Sequence, residues 1–239
     1  ILFAPVSGPH GSGELMRSLI IARELVSADP GMDVRFLVSR DAVFREAVEF
    51  PIMDCDASPT RSTHQVLPAI AAFRPDVMVF DNSGRTVQLR AARAIGSRLV
   101  FLSRAPRLRH KAFRVKWMRL LDEHWIVFPA FVTGGLTFIE RLKLAAFPSY
   151  HLRYLDTVFR PSQAGERASC LAGLGLTGIP YTVFVPGGRG DRHDRADPSE
   201  LFVAAARAFV ERTGQFAVVL TGWKDCPGGE GTRLRLLPR

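Results

Sequence analysis

The sequence predicts an α/β protein with two Rossmann-like domains built on parallel sheets, the second only partly present. Short apolar strands alternate with amphipathic helical stretches, which is typical of a parallel sheet covered by helices on both faces. A strand that runs into a glycine-rich loop occurs twice, at residues 1–13 and 181–190. The chain has 239 residues and 47% hydrophobic content, which is enough for two modest cores.

The first domain is predicted to span residues 1–160. It opens with a βαβ unit, in which the stretch "ILFAPVS" forms a strand, "GELMRSLIIARELVS" a helix and "DVRFLVS" a second strand. A helix over residues 65–73 follows "FPIMDC". The later elements are, in order, the strand "DVMVFD", the helix "TVQLRAARAIG", the strand "RLVFLS", a basic helix and the strand "HWIVF".

Residues 128–160 do not follow this alternation of strands and helices, and we expect them to end the first domain and form a linker. The pattern restarts in the second domain, residues 161–239. There "YTVFVPGG" and "QFAVVLTG" predict strands on either side of the amphipathic helix "PSELFVAAARAFVERTG". The chain begins without Met and ends about half a domain after this restart, so we expect it to be a fragment.

The overall composition argues against several classes of protein. No apolar run approaches the roughly 18 residues of a membrane span, and no secretory leader is recognisable, so a cytoplasmic location is expected. Three widely spaced cysteines indicate neither a disulfide framework nor a zinc site. The net charge of +9 indicates an anionic partner.

The positive charge is concentrated between Arg104 and Arg119, where seven Lys or Arg occur without an acid. The segment could be a solvated helix face. Because apolar side chains interleave the charges, it could also be a basic amphipathic surface that meets an anionic membrane, with Arg107, Arg109, Lys111 and Arg114 facing the lipid. Nucleic acid is not expected, since no recognition motif accompanies the patch.

The first glycine loop, "GPHGSGELMR", is not a dinucleotide-binding fingerprint. That motif needs a small residue where Met16 stands, and the second strand does not end in the acidic residue that binds a ribose. A Walker loop is also absent, because no Gly-Lys-Ser/Thr follows the glycines. The loop still precedes a helix N-terminus, where unpaired backbone N–H groups suit an anion.

Three side chains of this loop and helix are candidates for chemistry. Glu14 could act as a base or bind a sugar hydroxyl, or it could only complement the helix dipole. His10 titrates near neutrality and is the rival base, although many loop histidines have no catalytic role. Arg17 could pair with a phosphate or lie at the surface. Ser12 is the expected N-cap.

Two further strand ends carry polar residues. Asp81, Asn82 and Ser83 follow a buried strand at the edge where open α/β sheets bind ligands, although an Asx or Ser turn would use the same residues. The second glycine loop contributes an anion-binding set or a mobile charged loop. Its residues are Gly187, Gly188, Arg189 and Gly190.

The stretches "PVSGPHGSGELMRSLIIARELV", "RPDVMVFD", "PYTVFVPGG" and "FAVVLTG" together resemble GT-B glycosyltransferases. The nearest branch contains the peptidoglycan N-acetylglucosaminyltransferase and a related nucleotide-sugar hydrolase. The resemblance implies that the first domain binds the acceptor and the second the nucleotide sugar. It places the loop from Gly8 to Glu14 at the reacting sugar. Together with the strand-end argument, this makes Gly11, Ser12, Gly13, Arg17, Asn82 and Ser83 the expected substrate-binding residues and Glu14, His10 and Asp81 the catalytic candidates. It places the residue 187–190 loop at the donor diphosphate.

One departure from that family concerns the base. The relatives carry a histidine directly after the paired glycines, where this chain has Glu14, so His10 and Glu14 stay rivals. The predicted activity is transfer of a hexosyl or N-acetylhexosaminyl group to a saccharide or lipid-linked acceptor, at the inner face of the membrane, without a metal or cofactor. A nucleotide-sugar hydrolase and a GT-B-like scaffold without catalysis are the alternatives.

Overall fold

The computed structural model describes residues 1–9, 13–104, 106–162, 164–186, 198–221 and 233–237. The chain divides into two compact units, Ile1–Arg160 and Pro161–Arg239, each an α/β structure with a parallel sheet. No helix in the described part of the chain combines the length and the apolar character that crossing a bilayer requires.

The first unit contains seven strands and seven α-helices within its described residues. In chain order they are β1 (Leu2–Pro5), α1 (Gly13–Ala28), β2 (Arg35–Ser39), β3 (Ile52–Cys55), α2 (Thr63–Phe73), β4 (Val77–Asp81), α3 (Thr86–Ala94), β5 (Arg98–Ser103), α4 (Pro106–Ala112), α5 (Val115–Met118), β6 (Glu123–Ile126), α6 (Ala130–Thr133), α7 (Phe138–Ala146) and β7 (His151–Tyr154).

The seven strands form one parallel sheet in the order β3-β2-β1-β4-β5-β6-β7. The direction in which successive strands are added therefore reverses between β1 and β4. In such sheets the loops on either side of this reversal leave in opposite directions and open a crevice at the carboxyl ends of the two strands. The fold thus singles out one place for a ligand in this unit.

Helices cover both faces of this sheet, because each central strand is apolar on both sides. In β1, Leu2 and Ala4 face the core under α2 to α5, while Phe3 faces the core under α1. Phe3 stacks on Phe36 of β2 with ring centroids 5.0 Å apart. Leu15, Leu19 and Ala22 of α1 recur at helical spacing and complete this second core. The packing fixes α1 across β1, β2 and β4.

The sequence predicts that residues 128–160 end the first domain and form a linker, and for most of that stretch the linker is wrong. The structure forms α6, α7 and the seventh strand there, and β7 pairs in parallel with β6. The strand "HLRY" lies at the sheet edge and alternates exposed and half-buried residues. It therefore lacks the continuous apolar run by which the central strands are recognised.

The second unit contains a smaller parallel sheet in the order β10-β9-β8. Its described elements are α8 (Ala164–Gly173), β8 (Tyr181–Phe184), α9 (Pro198–Thr213), β9 (Phe216–Leu220) and β10 (Leu234–Leu237). Val203 and Ala206 of α9 pack on Ala217 and Val219 of β9. The helix is the amphipathic element that the sequence predicts, whereas α8 and β10 are absent from the sequence prediction.

A buried histidine of β6 lies in the core of the first unit, between the neighbouring strands β5 and β7. His124 is fully buried, with its Nε2 atom 2.7 Å from Ser103 Oγ and its Nδ1 atom 2.7 Å from the Tyr150 hydroxyl. The rings of Phe101 and Phe113 lie against it. Burial lowers the pKa of His124 to about 3, so the imidazole is neutral in the folded protein.

His124 therefore makes stability depend on pH. Its pKa is 6.5 before burial, so below that pH the unfolded chain binds a proton that the folded chain rejects. We expect this group to lower the free energy of unfolding by about 2 kcal/mol between pH 7 and pH 5. In a His124→Gln variant the decline should be smaller by that amount, as measured by urea unfolding at both pH values. Equal declines in the two proteins would contradict the assignment.

Candidate active site

The polar side chains of the first unit gather at the reversal point between β1 and β4. The backbone joins the two strand ends, since Val6 N donates to Asp81 O at 2.9 Å. Helix α1 begins at Gly13, above this edge of the sheet. The cluster at this edge combines the first turns of α1 with the last residue of β4 and the two residues that follow it. Its members are Glu14, Arg17, Ser18, Asp81, Asn82 and Ser83.

An ion pair fixes α1 to the end of β4. Arg17 Nε donates to Asp81 Oδ2 at 2.9 Å, and Arg17 Nη2 pairs with the other carboxylate oxygen. Ser18 Oγ adds a hydrogen bond to Oδ2 at 3.2 Å. The Asp81 side chain is 0% exposed and that of Arg17 10%. The Arg17 guanidinium and the Asp81 carboxylate thus neutralise each other, and the carboxylate is enclosed by its hydrogen-bond partners.

Burial raises the pKa of Asp81 to about 6, although Arg17 and Ser18 act in the opposite direction. The cost of removing a carboxylate from water therefore exceeds the attraction of its partners. The nearby Glu14 carboxylate raises the pKa further. The charge on Asp81 is consequently retained near neutral pH only while Arg17 is in place.

Glu14 is held by an amide on the neighbouring strand end. Asn82 Nδ2 donates to Glu14 Oε1 at 2.8 Å. Asn82 has a left-handed backbone with φ of 53°, a conformation that Asn tolerates better than most residues, and its N–H donates to Leu102 O at 2.9 Å. Because an ionised carboxylate only accepts hydrogen bonds, the Asn82 nitrogen must face Glu14. The amide oxygen is thereby directed elsewhere.

Within the described residues, that oxygen, Asn82 Oδ1, is buried and has no hydrogen-bond partner, and the whole residue is only 8% exposed. A buried acceptor without a donor costs free energy, on the order of 1–3 kcal/mol. Asn82 lines a pocket of about 500 Å³, a size that suits a small ligand. Ser58 Oγ is a second buried oxygen to which the described part of the chain supplies no partner, and Ser58 lines the same pocket. Both residues therefore contribute polar groups to the wall of the pocket.

The pocket lies across the carboxyl ends of β1 to β4. Its polar wall combines a carboxylate, a guanidinium and three hydroxyls with the Asn82 amide. The residues that line it are Val6, Ser7, Gly8, Pro9, Asp41, Ala57, Ser58, Thr60, Arg61 and Asn82. Hydrogen-bond acceptors and hydroxyls predominate over cations in this wall, which suits a ligand that carries hydroxyl groups.

The loop after Asn82 is fastened from two sides. Ser83 Oγ donates to Ala4 O in β1, and Gly84 N donates to Thr60 Oγ1 at 3.1 Å. Lys111 Nζ donates to Ser83 O and Gly84 O at 3.1 and 2.8 Å. The Lys111 ammonium also lies 4.6 Å from the centre of the Trp117 ring. These contacts fix the backbone directly after Asn82 and thereby the position of Asn82 at the end of β4.

Lys111 is a site residue that the sequence prediction misplaces. The sequence predicts that it lies, with Arg109, on a basic helix face that is either solvated or in contact with a membrane. In the structure Lys111 is half-buried against the Ser83 loop, and Arg109 is buried with bonds of 3.0 and 3.2 Å to the Glu140 carboxylate. Both cations point into the unit because carbonyls and a carboxylate there need donors. Arg114 stays exposed, whereas the Arg107 side chain lies outside the described residues.

The structure brings together the predicted residues Glu14, Arg17, Asp81, Asn82 and Ser83, with Gly13 at the start of α1. The other predicted site residues lie outside the described part of the chain. They are His10, Gly11, Ser12, Gly187, Gly188, Arg189 and Gly190. Within the described residues, no group of three His, Cys, Asp or Glu could hold a metal ion.

Comparison with solved structures identifies the fold. A UGT transferase from Siraitia grosvenorii in complex with UDP superposes with a TM-score of 0.57 and 14% identity, covering 100% of this chain and 70% of that one. CalG4, the calicheamicin glycosyltransferase, gives 0.54 and 16%, covering 98% and 68%. MurG of Acinetobacter baumannii gives 0.51 and 13%, covering 100% and 67%.

No protein-family profile and no curated protein matches the chain in sequence. The structural likeness nevertheless spans essentially the whole chain, and it confirms the predicted GT-B-like α/β fold with parallel sheets. The resemblance to GT-B glycosyltransferases seen in the sequence is thereby confirmed at the level of the fold.

Proposed function

We propose that the protein is a glycosyltransferase that moves a hexosyl or N-acetylhexosaminyl group from a nucleotide sugar to an acceptor hydroxyl. The observation that carries the proposal is the Asn82 side chain, which lines a pocket at the reversal point, holds Glu14 through its nitrogen and has no donor to its Oδ1 atom among the described residues. A hydroxyl donor is the group that this oxygen lacks. The GT-B fold supports the assignment to glycosyl transfer.

In this proposal the pocket binds the acceptor. One acceptor hydroxyl donates to Asn82 Oδ1 and thereby orients the molecule. The neighbouring reactive hydroxyl gives its proton to Glu14 while its oxygen bonds to the anomeric carbon of the donor. The bond from that carbon to the diphosphate breaks as the new bond forms, and the nucleoside diphosphate leaves. Positioning of the two reactants supplies much of the rate.

Arg17 and Asp81 are positioning residues in this mechanism. Their ion pair fixes the first turns of α1, and therefore the Glu14 carboxylate, relative to β4. His10 stays the rival base. We propose that Gly187, Gly188, Gly190 and Arg189 hold the donor diphosphate, as the sequence resemblance implies. We also propose a UDP-sugar as donor, since the Siraitia transferase was solved with UDP. The acceptor is a saccharide or a lipid-linked compound reached from the cytoplasm.

Nucleotide release by the full chain tests this function. We expect turnover with at least one member of a panel of UDP-, GDP- and CMP-sugars when saccharide and lipid acceptors are supplied, and none without an acceptor. Free sugar released in the absence of acceptor would identify a nucleotide-sugar hydrolase instead. Failure of every combination to release nucleotide would contradict an enzymatic function and favour a binding-only scaffold.

Thermal stability gives a second test that does not require turnover. A nucleotide that binds the folded chain at 100 times its dissociation constant should stabilise it by about 2.7 kcal/mol, and the melting temperature should rise accordingly. We expect UDP to raise it more than GDP or CMP at equal concentration. A uniform absence of shifts up to millimolar nucleotide would contradict donor binding by this chain.

A further inference from the structure

Two residues of opposite charge line the pocket at the reversal point without pairing with each other. Asp41 lies just after the end of β2, and Arg61 lies in the turn that leads into α2. Both residues are exposed, and no ion pair joins them in the described part of the chain. A ligand in the pocket can therefore meet each charge with a different group.

The other charged side chains beside this pocket are already paired. Arg40 Nη1 lies 3.4 Å from Asp56 Oδ1, and Arg45 Nη2 pairs with Asp54 Oδ1. Arg61 differs from them, because none of the described residues supplies a carboxylate or another hydrogen-bond acceptor to its guanidinium. This guanidinium is therefore available to an anionic group of a ligand.

The backbone around Arg61 adds to the positive character of this wall. Ser62 stands at the N-cap position of α2, but its hydroxyl accepts from Ala57 N at 3.1 Å and donates to Ala57 O at 3.0 Å. It makes no capping bond to the helix, so the first N–H groups of α2 keep their partial positive charge. Arg61 N donates to Ser58 O at 2.7 Å, which fixes the turn that carries the guanidinium.

A carboxylate matches this wall better than a phosphate does. A guanidinium and a carboxylate form two parallel hydrogen bonds and carry equal and opposite charges. Because Asp41 lines the same pocket, a dianionic phosphate would bring an excess of negative charge into it. Ser39 Oγ donates to Asp41 Oδ1 and orients this carboxylate, whose remaining lone pairs can accept from hydroxyl groups. The pocket therefore suits a ligand with a single carboxylate and several hydroxyls.

We propose that Arg61 determines acceptor specificity and that the acceptor is a saccharide with a carboxylate group, that is, a uronic acid. Its carboxylate binds the Arg61 guanidinium, while its hydroxyl groups donate to Asp41 and to the Asn82 amide, which lines the same pocket and is 8% exposed. This inference rests on the proposed function, because it takes the pocket as the acceptor site. It adds a charge that neither the fold nor the sequence resemblance specifies.

Ligand binding to the full chain without a donor tests the proposal. The probes are two matched pairs, methyl glucuronide with methyl glucoside and methyl galacturonide with methyl galactoside, titrated at millimolar concentration and followed by NMR. We expect the uronide of at least one pair to bind at least tenfold more tightly than its neutral counterpart. Arg61→Gln should reduce this ratio at least tenfold. Arg61→Lys should keep part of it, because the charge stays and the second parallel hydrogen bond is lost.

A matched control is available on α3. Arg90 is exposed and lies outside the residues that line the pocket, so Arg90→Gln removes the same charge without touching it. The ratio of affinities should be that of the parent chain in this variant. Both arginines are exposed, and circular dichroism should therefore show a folded protein in every variant.

Three results would overturn the proposal. They are equal affinity of the parent chain for uronides and neutral sugars, which includes absence of binding to both, a ratio that Arg61→Gln leaves unchanged, and tighter binding of glucose 6-phosphate than of methyl glucuronide.

Failure of the proposed function gives a different pattern. Nucleotide release with neutral acceptors and no preference for uronides would remove only this inference and leave the transferase function in place. Uronide binding that depends on Arg61, together with no nucleotide release from any donor, would contradict the transferase function and leave the carboxylate site in place.

Discussion

A Glu14→Gln variant should transfer sugar about 10²–10⁴-fold more slowly than the parent enzyme, with little change in KM for the acceptor. Glutamine keeps an oxygen that can accept from Asn82 Nδ2, so the 2.8 Å contact and the position of the side chain can survive. Only the capacity to take a proton is lost. The rate of nucleotide-sugar turnover with saturating acceptor measures the effect.

Helix α1 provides the control for this substitution. Glu24 lies on the same helix with an exposed side chain, and Glu24→Gln removes the same charge without touching the site. Its activity should match that of the parent. If Glu14→Gln is equally active while His10→Gln loses activity by a factor of 10² or more, His10 is the base and the assignment to Glu14 is wrong. The pH profile of kcat/KM should lose its acidic limb in the variant that lacks the base.

An Arg17→Leu variant should lose about 3–5 kcal/mol of unfolding free energy at pH 8, because it leaves the buried Asp81 carboxylate without its cation. The pKa of Asp81 is already raised to about 6 with Arg17 present and must rise further without it. Asp81 is then protonated in the folded variant at pH 5, so the loss should be smaller at that pH than at pH 8. Urea unfolding at the two pH values measures both quantities.

The ion pair between Arg23 and Glu49 serves as the comparison. It also involves α1, but its side chains are 34% and 47% exposed. Arg23→Leu should therefore change the free energy of unfolding by no more than about 1 kcal/mol at either pH. A loss in Arg17→Leu that is as small as in Arg23→Leu, or that is larger at pH 5 than at pH 8, would contradict the account of Asp81.

The local pattern predicts much of this molecule. Apolar runs identify β1, β2, β4 and β5, and the edge rule for parallel sheets places Asp81 and Asn82 at the edge where α1 begins. The pairing of particular side chains cannot be predicted from the local pattern. That Arg17 would bind Asp81 and Asn82 would bind Glu14 follows from the helix rotation, which the packing of Leu15 and Leu19 determines.

Two features of the structure cannot be predicted from the sequence, for physical reasons. The charge of Lys111 and Arg109 predicts exposure, but whether a cation points outward depends on acceptors that distant segments provide, here the Ser83 loop and Glu140. The strand β7 is not recognisable in the sequence because an edge strand has one exposed side and no apolar run. Both are decided by contacts across 24 or more residues, which no local window contains.

The bonds from α1 to the end of β4 also constrain the order in which the protein folds. Arg17 and Asp81 are 64 positions apart in the chain, and Glu14 and Asn82 are 68 apart. Closing such a loop costs entropy before either bond can form, so neither can appear early or in isolation. A nascent chain that has emerged only as far as β3 contains Glu14 but lacks its support. Ligand binding at this pocket should therefore be acquired in one late step, when β4 enters between β1 and β5.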